Sequence, residues 1–259
     1  MSDNSALKAL LMPAEKITYT LPVNAGDDVL ILSPHPDDET IGCGGAIIKM
    51  IALSVNITVL MLTDGNGGGR IKDISKIRKK EFMKARSILG YSAFDMLDYP
   101  DGRLEDYRNE MSEQIRKILL EQTPKLVLTP YLLDYPKDHK SVNTALAQAL
   151  NNALFFNTVV GMYEIWTPMT NPNCFLDITN EYPKKCLAME CYKSQEEYFG
   201  VLDKANALSL FRAKLSMRKR VEHIECLKLL GSKEYIEMID VFKKVQYQEE
   251  GSEFEHAVY

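Results

Sequence analysis

Short β-branched runs alternating with longer stretches of helical period limit this chain to few folds, because strands and helices in that order build a parallel sheet covered by helices. The pattern predicts strands at Asp28–Ser33, Ile57–Leu62, Phe94–Leu97 and Lys125–Thr129. Between them it predicts helices at about Ile41–Leu53, Ile74–Leu89 and Tyr107–Gln122, where apolar residues recur three or four apart. A fourth helix is expected from Ser141 through an Ala-rich stretch to Asn151. Further strands are expected at Asn157–Trp166 and Cys174–Ile178, and helices near Pro183–Tyr192 and Leu202–Leu230.

The expected fold class is therefore α/β: a Rossmann-like three-layer sandwich with a mostly parallel sheet in a single domain. The 259 residues are enough for one substantial core. The expected division is an N-terminal extension over 1–25, one domain over 26–245 and a polar tail over 246–259, with no internal repeat or linker. A net charge of -5 gives no electrostatic reason to bind nucleic acid. The basic clusters Lys76–Lys80 and Lys214–Arg220 sit beside acidic neighbours and read as solvated helix faces. No apolar run reaches the roughly 18–20 residues that span a bilayer, and the start lacks a secretory pattern. A cytoplasmic protein without a transmembrane segment is expected. The five cysteines are odd in number and form no C-x-x-C pair, which argues for reduced thiols packed as small core residues.

With the common strand order 3-2-1-4, ligands bind beyond the carboxyl ends of the first and fourth strands, where the order reverses. Both chemically loaded segments fall there. Directly after the first strand comes Ser33-Pro34-His35-Pro36-Asp37-Asp38-Glu39-Thr40. Acids collect in the first turn of a helix because its dipole stabilises them, but that does not explain a His held between two prolines. The glycines that follow, Gly42, Gly44 and Gly45, suggest a nucleotide loop, yet three carboxylates would repel a pyrophosphate. After the fourth strand comes Asp134-Tyr135-Pro136-Lys137-Asp138-His139-Lys140. A catalytic zinc takes three protein ligands and leaves a position for water, and His35, Asp38 and His139 satisfy that count. His223, in the late helix, and His256 read as surface residues.

Pro34-His35-Pro36-Asp37-Asp38-Glu39 resembles the P-H-P-D-D-E signature of the LmbE-like or PIG-L deacetylases, zinc enzymes that remove N-acetyl groups from N-acetylglucosamine-containing compounds. Leu62-Thr63-Asp64-Gly65, Arg78 with Glu81, Leu97 to Asp101 and Asp138-His139 extend the resemblance over about residues 28–195, with weaker late matches at Asp177-Ile178-Thr179 and Lys193-Ser194-Gln195.

The resemblance implies Zn2+ on His35, Asp38 and His139, a general base at Asp37, a structural role for Glu39, and a small amino-sugar substrate. Most members carry H-x-D-H where this chain has Pro136-Lys137-Asp138-His139, so the family's oxyanion-stabilising His is replaced by Pro136. Tyr135 is the expected substitute donor, with Lys137 as the alternative. Arg78 and Asp101 are candidates for substrate contact, and the loop Gly65–Arg70 for a lid or a plain connection. A homo-oligomer is compatible with all of this. The rival functions are a zinc amidase for another N-acyl compound, a non-catalytic sugar- or metal-binding protein, and a nucleotide-binding regulator.

Overall fold

The computed structural model describes residues 16–151, 155, 157–216 and 218–256; residues 1–15 of the expected N-terminal extension lie outside these. Four strands, β1 (Asp28–Ser33), β2 (Asn56–Thr63), β3 (Ala93–Tyr99) and β4 (Leu126–Pro130), match the expected positions to within one or two residues. They alternate with helices α1 (Asp38–Ala52), α2 (Ile74–Leu89), α3 (Arg108–Gln122) and α4 (Lys137–Leu150). β5 (Val159–Tyr163) and β6 (Cys174–Asp177) follow, the former shorter than its apolar run. Then come α5 (Tyr182–Met189), α6 (Lys193–Phe199), α7 (Val201–Leu215), a strand β7 (Ile224–Gly231) and α8 (Ser232–His256), which continues through the segment expected to be a polar tail.

The strand order is β3-β2-β1-β4-β5-β7-β6. β1 to β5 pair in parallel, while β7 runs antiparallel to both β5 and β6. The order reverses between β1 and β4, as expected. One apolar cluster fills each side of the sheet: Ile31, Val59 and Leu128 face α1 and α2, whereas Leu30, Leu60 and Val127 face α3, α4 and α8. Successive residues of each strand thus serve opposite cores, and this is why the strands read as unbroken apolar runs.

The expected helix Leu202–Leu230 is corrected to α7, a connection and β7. Glu225 and Lys228 lie three apart and mimic the polar face of a helix. They are instead buried sheet residues. The Glu225 carboxylate accepts the amides of Gly45 and Ala46, at 2.7 and 2.8 Å, and the Lys185 ammonium at 2.7 Å. Those amides are free because α1 breaks at Cys43 (φ -141°, ψ 24°). Lys185 satisfies the other side of the break by donating to the Ile41 carbonyl at 2.6 Å. His223 consequently lies in the connection rather than a helix, half-buried with its ring stacked on Tyr182 at 3.4 Å. The side chain of His256 is outside the described set.

Of the glycines after the first strand, Gly42 and Gly45 serve packing. A Cβ on Gly42 would overlap the Tyr163 ring, and one on Gly45 would come within 2.6 Å of Ile178. α1 therefore lies close against β5 and the segment after β6, which fixes where its N-terminus, and hence Asp38, is presented. Cys43, Cys174 and Cys226 are buried free thiols.

Candidate active site and metal centre

The carboxyl ends of β1 and β4 each release a loop that turns at once into a helix, α1 or α4, and these junctions bring together residues over 100 positions apart. His35 Nδ1 lies 3.0 Å from Asp38 Oδ2 and 3.3 Å from His139 Nε2, and the last two atoms are 3.2 Å apart. An ion bound tetrahedrally at about 2.0–2.1 Å holds its ligand atoms about 3.3 Å from one another. The three donors already have that spacing, so two imidazoles and one carboxylate fit a divalent ion with a position to spare.

The opposite ring nitrogens carry the supporting contacts. His35 Nε2 is 3.2 Å from both Asp101 Oδ1 and Asp138 Oδ2, and His139 Nδ1 is 2.9 Å from Asp134 Oδ2. Asp138 also accepts the backbone amides of Gly102 and Leu104, at 2.7 and 3.1 Å. His35, Asp101 and Asp138 form a second group close enough for an ion, but Asp138 already accepts two amides and Asp101 accepts from Gly67 and Arg78. They act better as acceptors that orient His35, as metal-bound imidazoles require. Asp134 and Asp138 were missed as orienting groups. Asp138 stands in the Asp138-His139 match and Asp134 is merely near His139, but which carboxylate meets which nitrogen depends on ring direction.

Burial alone would lower the histidines' pKa values, but the Asp38 charge and the bonds to carboxylates outweigh it. His139 is raised to about 8 and His35 well above its ordinary value. Burial would raise Asp38, yet the two imidazoles hold it far below the usual carboxylate range. Asp37 is buried beside it and not directed at the donor triad. Burial and the Asp38 charge raise Asp37 to about 7 against the opposing pull of Arg78. Its backbone, at φ 155°, is in a region non-glycine residues rarely adopt. This turn lets adjacent carboxylates face different ways, Asp38 toward the histidines and Asp37 toward Arg78, 3.2 Å away.

Glu39 is structural, as expected: it is fully buried and accepts from the hydroxyls of Ser33, Thr40, Tyr91 and Tyr192. Arg78, a candidate for substrate contact within a segment otherwise read as a solvated helix face, is buried and donates to Asp37, Asp101 and the Gly65 carbonyl. The glycine loop is pinned rather than loose, since Gln195 donates to the Gly68 carbonyl at 3.0 Å and Asp101 accepts the Gly67 amide at 3.0 Å. No sequence signal tied Gln195 to this loop.

These residues floor a cleft of about 600 Å³, within the roughly 300–1,000 Å³ of clefts that enclose drug-sized ligands. His35, Asp37, Asp38, Arg78 and Asp101 line it below; Tyr135, Pro136, Trp166 and Phe199 line it nearer the surface, and Tyr135 is 86% exposed. Lys137 does not line it. Among the described residues no helix is long and apolar enough to cross a membrane.

Residues 30–150 match the PIG-L family model, described as GlcNAc-PI de-N-acetylase. The chain is 30% identical over 183 residues to a probable N-acetyl-alpha-D-glucosaminyl L-malate deacetylase of Bacillus anthracis, covering 64% of this chain and 80% of the relative. It is 33% identical over 108 residues to the diacetylchitobiose deacetylase of Thermococcus kodakarensis, a stretch that spans 39% of each protein. The solved N,N'-diacetylchitobiose deacetylase of Pyrococcus horikoshii shares the fold with a TM-score of 0.69 at 23% identity, over 81% of this chain and 85% of that one.

Proposed function

This chain belongs to the PIG-L, or GlcNAc-PI de-N-acetylase, family, and from that premise we propose that it is a zinc-dependent hydrolase that removes the acetyl group from the nitrogen of an N-acetylglucosamine-type conjugate. The observation that carries the proposal is the donor triad His35, Asp38 and His139 at tetrahedral spacing, with the carboxylate of Asp37, paired to Arg78 rather than to the triad, beside it at the floor of the cleft.

The chemistry a divalent ion supplies at such a site is polarisation of the amide carbonyl and acidification of water. The protein's own groups do the rest. Asp37 takes a proton from the attacking water and returns it to the nitrogen as the amine departs, work suited to a carboxylate held near neutral pKa. Arg78 holds Asp37 in place, and Asp101, at the floor of the cleft, anchors the glycine loop and is the candidate acceptor for a substrate hydroxyl. With Pro136 where most relatives place a His, Tyr135 is the candidate donor for charge developing on the carbonyl oxygen, since it lines the cleft and its side chain is largely exposed. Losing one such donor commonly costs roughly 10²–10³ in rate.

The test is to incubate zinc-loaded protein with N-acetylated amino sugars, free, nucleotide-linked and lipid-linked, and to follow release of acetate by mass. Metal bound without acetate release from any of them overturns the enzymatic reading in favour of a binding protein. Release only from other N-acyl compounds makes it an amidase. Tyr135→Phe is expected to lower turnover without loss of zinc, and Pro136→His to restore part of it. Unchanged turnover in both Tyr135→Phe and Lys137→Ala removes this loop as the source of the donor.

A further inference from the structure

Two basic side chains line the cleft, and they are used differently. Arg78 is spent on Asp37 and Asp101. Lys204 has no carboxylate within ion-pair distance among the described residues; its ammonium lies 5.3 Å from the ring centroid of Trp166, which lines the same cleft. Lys204 stands in the first turn of α7, where the helix dipole disfavours a cation, so helix stability does not explain it there.

The support beneath this pair is built and buried. Glu164, two residues before Trp166, accepts from the guanidinium of Arg212 on α7 and from the Met169 amide at 2.6 Å, and Arg212 donates to the Met169 carbonyl at 2.6 Å. Both charged groups are nearly inaccessible. The clamp ties the segment carrying Trp166 to the helix carrying Lys204, which sets the exposed Lys204 beside the half-buried ring at the cleft wall. Such a pair offers an apolar face beside an uncommitted positive charge.

We propose that Trp166 and Lys204 form an outer subsite for an anionic group, carboxylate or phosphate, on the aglycone of the substrate. That the anion belongs to the aglycone rests on the deacetylase reading, which puts the N-acetyl group at the floor; the anion subsite itself does not depend on it. The cleft thereby selects charged conjugates over neutral sugar chains.

The test uses matched pairs of N-acetylglucosamine conjugates: a carboxylate aglycone against its methyl ester, and a phosphodiester aglycone against a neutral alkyl glycoside. The parent protein is expected to favour the anionic member by roughly fivefold in kcat/KM, expressed in KM, as befits a partly exposed ion pair. Lys204→Gln should bring the ratio to about one, and Lys204→Glu should invert it. The carboxylate and phosphodiester pairs show which anion is preferred. No preference in the parent, or a preference that survives in Lys204→Gln, overturns the proposal. If no conjugate is deacetylated, the deacetylase reading fails separately. Calorimetric binding of the same pairs to the metal-loaded protein then decides the subsite, with the same ratio expected in Kd and equal affinities refuting it.

Discussion

His139 has both ring nitrogens committed, one toward Asp38 and His35 and the other to Asp134, and this determines how the site responds to pH. Without metal, its folded pKa of about 8 lies above the ordinary 6.5, so the protonated ring stabilises the metal-free fold below pH 6.5, and that contribution disappears as pH rises through about 8. Zinc needs the neutral ring. Its affinity should therefore fall as pH drops below about 8, with proton release on binding at pH 7, measurable by calorimetry in buffers of different ionisation enthalpy. A metal affinity flat between pH 6 and 8 would count against His139 as a ligand. Asp134→Asn and Asp138→Asn should each weaken zinc by about 10–100-fold while leaving the three ligands in place. Asp37→Asn, in contrast, should keep its zinc and lose about 10²–10⁴ in turnover; metal loss in that variant would exchange the roles of Asp37 and Asp38. That His35, Asp38 and His139 would meet was legible in the sequence, because each lies in a short motif at the loop-to-helix junction that follows β1 or β4. The contacts of Asp134, Asp138 and Gln195 were not, although the last two fall in matched segments, because they depend on which way a neighbouring side chain points.

Among the elements, β7 shows how a buried ion pair can disguise a strand. Ile224, Cys226 and Leu227 pack in the core, and Glu225 belongs to the fold through α1, whose break at Cys43 leaves two amides for it to accept. Periodicity cannot separate such a strand from a helix when the polar residues fall three apart and their partners are distant in sequence. Glu225→Ala leaves Lys185 charged and buried without its partner and orphans the amides of Gly45 and Ala46. Such a loss costs about 3–5 kcal/mol, which urea denaturation would register as a lower midpoint. Lys185→Met combined with Glu225→Gln should recover part of it, because the uncompensated charge is gone. If Glu225→Ala unfolds at the parent's midpoint, the break in α1 is not held by this carboxylate. The first four strands and three of the helices beside them were legible to within a few residues, since each carries an unbroken apolar run or a clean helical stripe and none depends on a remote charge.

For the whole molecule, the strand reversal between β1 and β4 determines both where the ligands meet and what removing the metal does. The donors come from two βα junctions that meet only where β1 and β4 pair in the folded sheet, so an ion there would bind the native state and not the unfolded chain. Zinc at about a thousand times its Kd should add about 4 kcal/mol of stability, or roughly 10 °C in Tm for a domain of this size, and a chelator should remove it. His35→Ala, Asp38→Ala and His139→Ala should each abolish that shift, and an unchanged shift in all three would place the metal elsewhere. The other consequence concerns the order in which the molecule is made. Glu225, which completes the helix carrying Asp38, lies 180 residues after Gly45, the first amide it accepts. A nascent chain has synthesised every metal donor long before it owns the carboxylate that secures one of them. A chain stopped before Ile224 lacks the acceptor for the Gly45 and Ala46 amides and should therefore lose protection of its core, which limited proteolysis would show as faster cleavage than in the parent.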